Sequence, residues 1–216
     1  MRGLSIVTNF EMSKLMFGLP GAGMAGIRSD LDFDYIEFLL HKYRFSKLCV
    51  SGGTDPLSNL DKKMNLEILR KMALEAKTRF FIYTRENIAD KLPFIKYLCP
   101  SKLVVYNHLM ADRNIDEIMA VAEICPTRLY LNYNNQHYVY VNLWAQYFGK
   151  AKGIEFCIKQ NNKTIVKKEM EKLDPNIYVI EPGDYNYYLM PDNNLYQDFN
   201  ANMKFTSGYS RGGVVK

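Results

Sequence analysis

The sequence predicts an α/β protein in which buried strands alternate with amphipathic helices. Short runs rich in β-branched and aromatic residues recur along the chain, and each is almost continuously apolar, as expected for strands covered on both faces. The stretches between them carry apolar residues at the helical period. From the second run onward, strands begin about every 20 to 30 residues, the length of one strand, one helix and two loops. This alternation predicts a parallel sheet with right-handed crossovers.

Seven runs fit this description of a strand. They are Lys14–Phe17, Lys47–Val50, Arg79–Tyr83, Lys102–Val105, Arg128–Leu131, Ile154–Ile158 and Ile177–Ile180. Six or seven strand–helix units suit either an open doubly wound sheet or an incomplete barrel, and the spacing does not choose between them.

Four helices are predicted from apolar residues three and four positions apart. The first three stripes are Ile36/Leu39/Leu40/Tyr43, Leu69/Met72/Ala73/Ala76 and Ile115/Ile118/Met119/Ala122, and the last is Val166/Met170/Leu173. Asn114 with Glu117 forms a plausible capping pair for the third helix. Residues 138–148 fit a strand or a helix, with a helix narrowly favoured.

Composition and length predict a single globular domain over residues 1–202. Hydrophobic residues make up 48% of the chain and charged residues 24%, which is ordinary for a soluble protein. No apolar run reaches the roughly 18 residues of a membrane span, and Met1–Val7 is too short for a signal peptide, so a cytoplasmic location is expected. Residues 203–216 contain three glycines and no periodic pattern, which predicts a flexible or lightly docked tail.

The net charge of +5 and the four cysteines exclude few classes of protein by themselves. Seven lysines lie between Lys150 and Lys172, a run typical of a solvated helix face, and we expect no nucleic-acid partner. The cysteines Cys49, Cys99, Cys125 and Cys157 form no C-x-x-C pair and are interpreted as buried, reduced thiols.

Polar residues follow most of the predicted strands. Because ligands bind at the carboxyl ends of parallel strands, these positions are candidates for one wall of a pocket, although loops are polar in any protein. The candidates are Arg85, Asn107, Asn132, Lys159 and Glu181.

The glycine-bearing loop from Gly18 to Gly26 follows the first predicted strand. Its Gly21, Gly23 and Gly26 match the dinucleotide-binding fingerprint, which would make the chain a nicotinamide- or flavin-dependent oxidoreductase. The context favours this alternative less, because the second strand ends in Val50-Ser51-Gly52-Gly53 and not in the acid that holds a ribose hydroxyl.

A second glycine loop, Gly52-Gly53-Thr54-Asp55-Pro56, follows the second predicted strand. Two glycines at a strand end allow the backbone to approach a ligand closely, although a tight turn ended by Pro56 would use the same residues. This loop resembles the glycine-rich motif of radical S-adenosylmethionine (radical SAM) enzymes, which contacts the amino group of S-adenosylmethionine. The resemblance implies cofactor contacts from Gly52, Gly53 and Thr54.

Radical SAM enzymes also carry C-x3-C-x2-C after their first strand, where three thiolates hold a 4Fe–4S cluster. Gly18, Ala22 and Ala25 stand at that spacing. The resemblance covers roughly residues 14–185 and implies a partial TIM-like (β/α)6 barrel of parallel strands. The cofactors of the parent family would be S-adenosylmethionine and 4Fe–4S.

Glycine and alanine have no metal-binding side chain, so we expect no cluster in this chain and no reductive cleavage of S-adenosylmethionine. The resemblance therefore implies a cysteine variant or a pseudoenzyme whose substrate the sequence leaves open. A further alternative is a non-catalytic binding or assembly protein on a barrel scaffold. Sixteen tyrosines and the asparagine-rich segments 132–135 and 193–202 would suit a polar recognition surface.

Overall fold

The computed structural model describes residues 3–8, 31–52, 54–58, 63–84, 88–107, 115–132, 154–159, 177–179, 186–197 and 204–205. These residues form a mixed α/β fold with mostly parallel strand pairing. The strands are β1 Gly3–Val7, β2 Lys47–Ser51, β3 Arg79–Thr84, β4 Lys102–Asn107, β5 Thr127–Asn132, β6 Ile154–Lys159, β7 Ile177–Val179, β8 Asn186–Leu189, β9 Leu195–Tyr196 and β10 Lys204–Phe205. The helices are α1 Phe33–Tyr43, α2 Lys63–Glu75, α3 Leu92–Leu98 and α4 Ile115–Ile124.

The chain divides into two compact units. The first contains Met1–Phe80 and Tyr185–Lys216, and the second contains Phe81–Asp184. In the first unit, the strand order is β10-β9-β8-β1-β2. Strand β1 pairs in parallel with both β2 and β8, whereas β9 pairs antiparallel with β8 and with β10.

The core of the first unit is built on alternate residues of β1 and β2. Leu4, Ile6, Leu48 and Val50 are fully buried. Burying an aliphatic side chain of this size contributes about 2 kcal/mol, so these two strands stabilise the unit substantially. Helix α1 buries Ile36, Leu39 and Leu40 among its apolar residues.

Residues at both ends of helix α1 form the hydrogen bonds that begin and end it. The Asp32 carboxylate accepts a hydrogen bond from the Tyr35 amide at 3.0 Å, which is an N-cap. At the other end, Arg44 adopts a left-handed conformation and its amide donates to the Leu40 carbonyl at 3.1 Å.

In the second unit, β3-β4-β5-β6-β7 lie side by side in chain order, and every neighbouring pair is parallel. The two faces of this sheet differ in chemistry. Ile82, Leu103, Val105 and Leu129 are fully buried and lie in alternate register rows of β3, β4 and β5. The intervening row contains Tyr83, Val104 and Arg128, of which the tyrosine and the arginine are partly exposed. Since successive rows belong to opposite faces, one face of the sheet is more polar than the other.

Six of the seven predicted strands are confirmed, with ends that differ by one or two residues. The seventh, Lys14–Phe17, lies outside the described residues, as do the predicted fourth helix and the ambiguous segment 138–148. The first three helices are confirmed. Part of the segment 203–216, for which the sequence predicts a tail, forms β10 and pairs with β9.

The sequence did not predict β1, β8, β9, β10 or α3. Strand β1 contains Gly3 and Ser5, which interrupt an apolar pattern, and β9 and β10 have two residues each. Helix α3 has seven residues, too few to display a helical period, and it carries Pro93 in its first turn.

Glu117 holds the segment that leads into α3. Its carboxylate accepts hydrogen bonds from the backbone amides of Ile88 and Ala89, the N-cap and the first residue of the short 3-10 turn Ala89–Lys91. The sequence instead suggested that Glu117 caps its own helix with Asn114, which lies outside the described residues. The tertiary contact thus gives Glu117 a role between two helices that local spacing does not reveal.

Replacing Glu117 by Ala leaves these two amides without their carboxylate acceptor. We expect Glu117→Ala to lower the free energy of unfolding by about 1 to 2 kcal/mol, the usual cost of losing a cap. Urea denaturation measures this loss. The exposed Glu123 of the same helix is the control, and Glu123→Ala should change stability by less than about 0.5 kcal/mol. Equal losses in the two variants would show that Glu117 does not act through Ile88 and Ala89.

Candidate functional site

The carboxyl ends of β1 and β2 meet at one edge of the first unit. Val7 and Ser51 are register partners at the last position of each strand. Beyond them, the Thr8 amide donates to the Ser51 carbonyl at 2.7 Å, and the Thr54 amide donates to the Thr8 carbonyl at 3.1 Å. The loop after β2 therefore folds back onto the residue that ends β1.

Gly52 lies where these two chain segments are closest. A Cβ atom at this position would stand 2.1 Å from the Thr8 carbonyl oxygen, 2.6 Å from Thr8 Oγ1 and 2.7 Å from the Thr54 carbonyl oxygen. The nearest of these atoms is backbone, so no side-chain rotation can make room. The structure thus requires glycine at position 52 for packing between strand ends. Gly53 lies outside the described residues.

The rest of this loop is buried and internally hydrogen-bonded. Thr54 is fully buried, and its hydroxyl donates to the Thr8 carbonyl at 3.0 Å. Asp55 is 1% exposed, and its carboxylate accepts from the Leu57 amide at 2.9 Å. The Asp55 carbonyl accepts from both the amide and the hydroxyl of Ser58, at 3.1 and 2.8 Å. Thr54, which the sequence predicts as a cofactor contact, uses its hydroxyl to hold the loop against Thr8.

Thr8 is a site residue that the sequence analysis missed. Its hydroxyl is fully buried and donates to the carbonyls of Ser51 and Thr54, at 3.1 and 3.4 Å. Below it, the hydroxyls of Ser5 and Ser51 lie 3.1 Å apart between β1 and β2. The sequence feature that could have identified Thr8 is its position directly after the run Leu4–Val7. That position is informative only once the run is known to be a strand.

A hairpin turn borders the same edge. Because Ile6 and Leu189 are register partners, Met190 follows β8 beside the end of β1, and it packs with Val7 and Tyr196. The Asp192 carboxylate organises the turn, accepting from the Asn194 amide at 2.9 Å and from the Tyr196 hydroxyl at 2.8 Å. This side chain connects β9 to the turn.

Burial and the nearby Asp192 carboxylate raise the pKa of Tyr196 to about 12. Burial is the larger cause, followed by the hydrogen bond that the protonated hydroxyl donates.

In the second unit, the predicted pocket residues lie at adjacent strand ends. Asn132 and Lys159 are register partners at the last positions of β5 and β6, whereas Asn107, at the end of β4, pairs with Leu131 one residue earlier. Rows one residue apart belong to opposite faces of a sheet. Asn132 and Lys159 therefore share a row and Asn107 does not. Arg85 and Glu181 lie outside the described residues.

A tyrosine-rich register row lies two residues before the Asn132–Lys159 row, and hence on the same face. It contains Tyr106, Tyr130, Cys157 and Tyr178 on four neighbouring strands. Sequence reasoning could not assemble this row, because these residues are between 21 and 27 positions apart and only the register aligns them.

The cysteines differ from one another in exposure. Cys49 and Cys125 are buried as expected, and burial raises the pKa of the Cys125 thiol to about 11, which disfavours the reactive thiolate. Cys99 is exposed at the end of α3, so the expectation of burial is wrong for this residue. Its left-handed backbone, with φ of 44°, ends the helix and leaves the residue at the surface.

The donor set at the three cluster positions does not fit an iron–sulfur cluster. Gly18, Ala22 and Ala25 lie within residues 9–30, outside the described part of the chain, as do Gly21, Gly23 and Gly26. None of the three has a thiolate, and none of the four cysteines of the sequence falls between positions 18 and 26. We therefore derive no reaction step through a cluster.

Neither protein-family models nor curated proteins match this chain. In the part of the chain that the structure describes, no helix has the length and apolar character needed to cross a bilayer.

The contact at Gly52 predicts a strong effect of one added methyl group. We expect Gly52→Ala to lower the free energy of unfolding by about 3 kcal/mol, at the upper end of overpacking effects, because the clash is with backbone. The Thr8→Ala/Gly52→Ala double variant removes the Thr8 hydroxyl but keeps the Thr8 carbonyl. Its free energy of unfolding should therefore be no higher than that of Gly52→Ala. Denaturant unfolding measures both, and recovery in the double variant would mean that the hydroxyl causes the clash.

The raised pKa of Tyr196 predicts a loss of stability in alkali. The unfolded chain releases this proton near pH 10 and the folded chain near pH 12, so the stabilisation is complete below about pH 10 and declines as the pH rises to about 12. In Tyr196→Phe this contribution disappears, and the free energy of unfolding should fall less steeply over that range. Parallel slopes for the two proteins would contradict this assignment.

Proposed function

We propose that this chain is a non-catalytic nucleoside-binding protein of radical SAM-like architecture, which binds S-adenosylmethionine or a related nucleoside at the loop after β2. The observation that carries the proposal is the close backbone approach of Gly52 to Thr8 at the carboxyl ends of two parallel strands. This contact fixes the backbone of the loop before any ligand arrives, which lowers the entropy cost of binding.

We further propose that the strands belong to a partial (β/α)6 TIM-like barrel. In support, the second unit keeps β3 to β7 in chain order, and β1 neighbours β2 in the first unit. A doubly wound sheet would contain a reversal of strand order at the point where its ligand binds. Strands β3 to β7 of the second unit have no such reversal, and in the first unit β8 lies parallel to β1 on the side opposite β2, as the last strand of a barrel would.

The contacts proposed for the ligand come from the backbone of Gly52 and Gly53. Peptide carbonyls at a glycine pair can accept hydrogen bonds from an ammonium group without interference from a Cβ atom. Thr54 is proposed to position the loop without contacting the ligand through its side chain, because its hydroxyl donates a hydrogen bond to the Thr8 carbonyl. When bound, S-adenosylmethionine would supply a sulfonium whose reductive cleavage needs a cluster, and this chain has no ligands for one.

The strand-end residues of the second unit are proposed to line a polar pocket within that unit. Asn132 and Lys159 share a register row, which supports their acting as a pair. Asn107, Arg85 and Glu181 stay predicted members of the pocket on the basis of their strand-end positions in the sequence.

The dinucleotide alternative has less support. Strand β2 ends at Ser51 and is followed by Gly52, not by the acid that would hold a ribose hydroxyl. The assembly-protein alternative is favoured by one observation, the row of Tyr106, Tyr130, Cys157 and Tyr178, since tyrosines are enriched at recognition surfaces.

Calorimetric titration tests the ligand. We expect S-adenosylmethionine to bind, and Thr54→Val to weaken binding by loosening the loop, whereas Thr54→Ser keeps the hydroxyl and should bind as the parent does. Tight binding of NAD without binding of S-adenosylmethionine would refute the proposal.

Anaerobic iron–sulfur reconstitution tests the ancestry of the site. We expect Gly18→Cys/Ala22→Cys/Ala25→Cys to take up about four irons per chain, as one 4Fe–4S cluster requires, and the parent chain to take up none. The control variant, Gly18→Cys/Ala22→Cys/Gly26→Cys, carries equal thiols at the wrong spacing and should stay iron-free. Iron uptake by both variants, or by neither while both fold, would show that the spacing is coincidental.

A further inference from the structure

A groove opens at the amino-terminal edge of β2, in the first unit. Its volume is about 480 Å³, within the range of small-molecule sites. Phe45 and Ser46 line it and immediately precede β2, whereas Gly52 follows β2. A five-residue strand spans roughly 17 Å, so this groove is distinct from the loop proposed to bind a nucleoside. The full lining is Leu40, His41, Arg44, Phe45, Ser46, Glu75, Ala76 and Lys77.

The groove contains more positive than negative side chains. Arg44 and Lys77 line it with one acid, Glu75, whose carboxylate lies 3.9 Å from Lys71. His41 lies 3.9 Å from Glu37 on the same helix. In the described part of the structure, neither Arg44 nor Lys77 has an ion-pair partner. The two cations are therefore available to an anion.

Capping of the helix ends does not account for the two cationic side chains. Arg44 and Lys77 follow α1 and α2, where the helix dipole favours positive charge. However, these two residues cap the helices through their backbone: the Arg44 amide donates to the Leu40 carbonyl at 3.1 Å and the Lys77 amide donates to the Leu74 carbonyl at 3.0 Å. Their guanidinium and ammonium groups make no contribution to these hydrogen bonds.

Both residues also occupy a backbone conformation that favours glycine. Their φ angles are 48° and 53°, in the left-handed region that disfavours a Cβ atom. The two positions thus keep a cation where glycine would be more stable, and both cations line one groove. Backbone strain retained at a site is a recognised indication of function.

The accessible lining of the groove is mostly polar, with two buried apolar residues behind it. Leu40 is 2% exposed and Phe45 is 4% exposed, and the partly buried Ser46 also lines the groove. A ligand suited to this lining is small and carries one strongly anionic group. Arginine matches the oxygens of a phosphate with its planar fork, and lysine adds a point charge.

We infer that this groove binds the phosphate group of a small phosphomonoester, with Arg44 and Lys77 as its ligands. The shared chemistry is a terminal phosphate, which either a soluble metabolite or a lipid headgroup could present.

Amide NMR titrations with phosphoethanolamine test the site, with potassium chloride at matched ionic strength as the screening control. We expect saturable shift changes centred on Arg44, Ser46 and Lys77. The same titration with vesicles of phosphatidylcholine containing phosphatidic acid distinguishes the sources, since saturation only on vesicles assigns the lipid. Changes that do not saturate in either arm, or that potassium chloride reproduces, would overturn the inference.

Glycine substitutions separate binding from folding. The Arg44→Gly/Lys77→Gly variant removes both charges and relieves both left-handed positions, so its Tm should rise while phosphoethanolamine affinity falls at least tenfold. Asn193→Gly, at another left-handed position with φ of 57°, should leave affinity unchanged, as should Lys96→Gln, an exposed charge on α3. Retained affinity in the double glycine variant would show that the groove is not the phosphate site.

Discussion

The structure depends on a contact between backbones at the carboxyl ends of β1 and β2. The Thr8 carbonyl accepts from the amide and the hydroxyl of Thr54, and Gly52 fits against Thr8 only because it has no Cβ atom. These hydrogen bonds are made in a buried environment, where an unpaired carbonyl or hydroxyl would cost about 1 to 3 kcal/mol. The backbone at Gly52 and Thr54 is thus held by interactions that the chain makes with itself.

This arrangement separates the roles of residues that a motif would group together. In the run from Gly52 to Asp55, the first glycine is required by packing, and the threonine and aspartate hold the loop through their own hydrogen bonds. What the loop can offer a ligand is backbone, which fits recognition of an ammonium group better than it fits catalysis. A protein that binds S-adenosylmethionine in this manner while lacking cluster ligands would still recognise the cofactor but could not cleave it reductively.

The two ends of β2 offer different chemistry. The carboxyl end leads into a buried, internally hydrogen-bonded loop, whereas the amino end opens into a groove with an excess of positive charge. The cations of that groove follow helices α1 and α2, so their positions are set by where those helices end. A single five-residue strand therefore carries two surfaces, each formed by the turns that lead into it or away from it.

The sequence by itself determined the α/β class, six of the strands and three of the helices, because apolar periodicity reports which residues are buried. It also identified the loop at Gly52, since glycine pairs at strand ends are local signals. Tertiary structure alone decided that Thr8 anchors this loop, that Glu117 supports α3 and that Tyr106, Tyr130 and Tyr178 share a row. These relations join residues that are distant in the chain, and strand register and helix packing, which no local pattern encodes, bring them together.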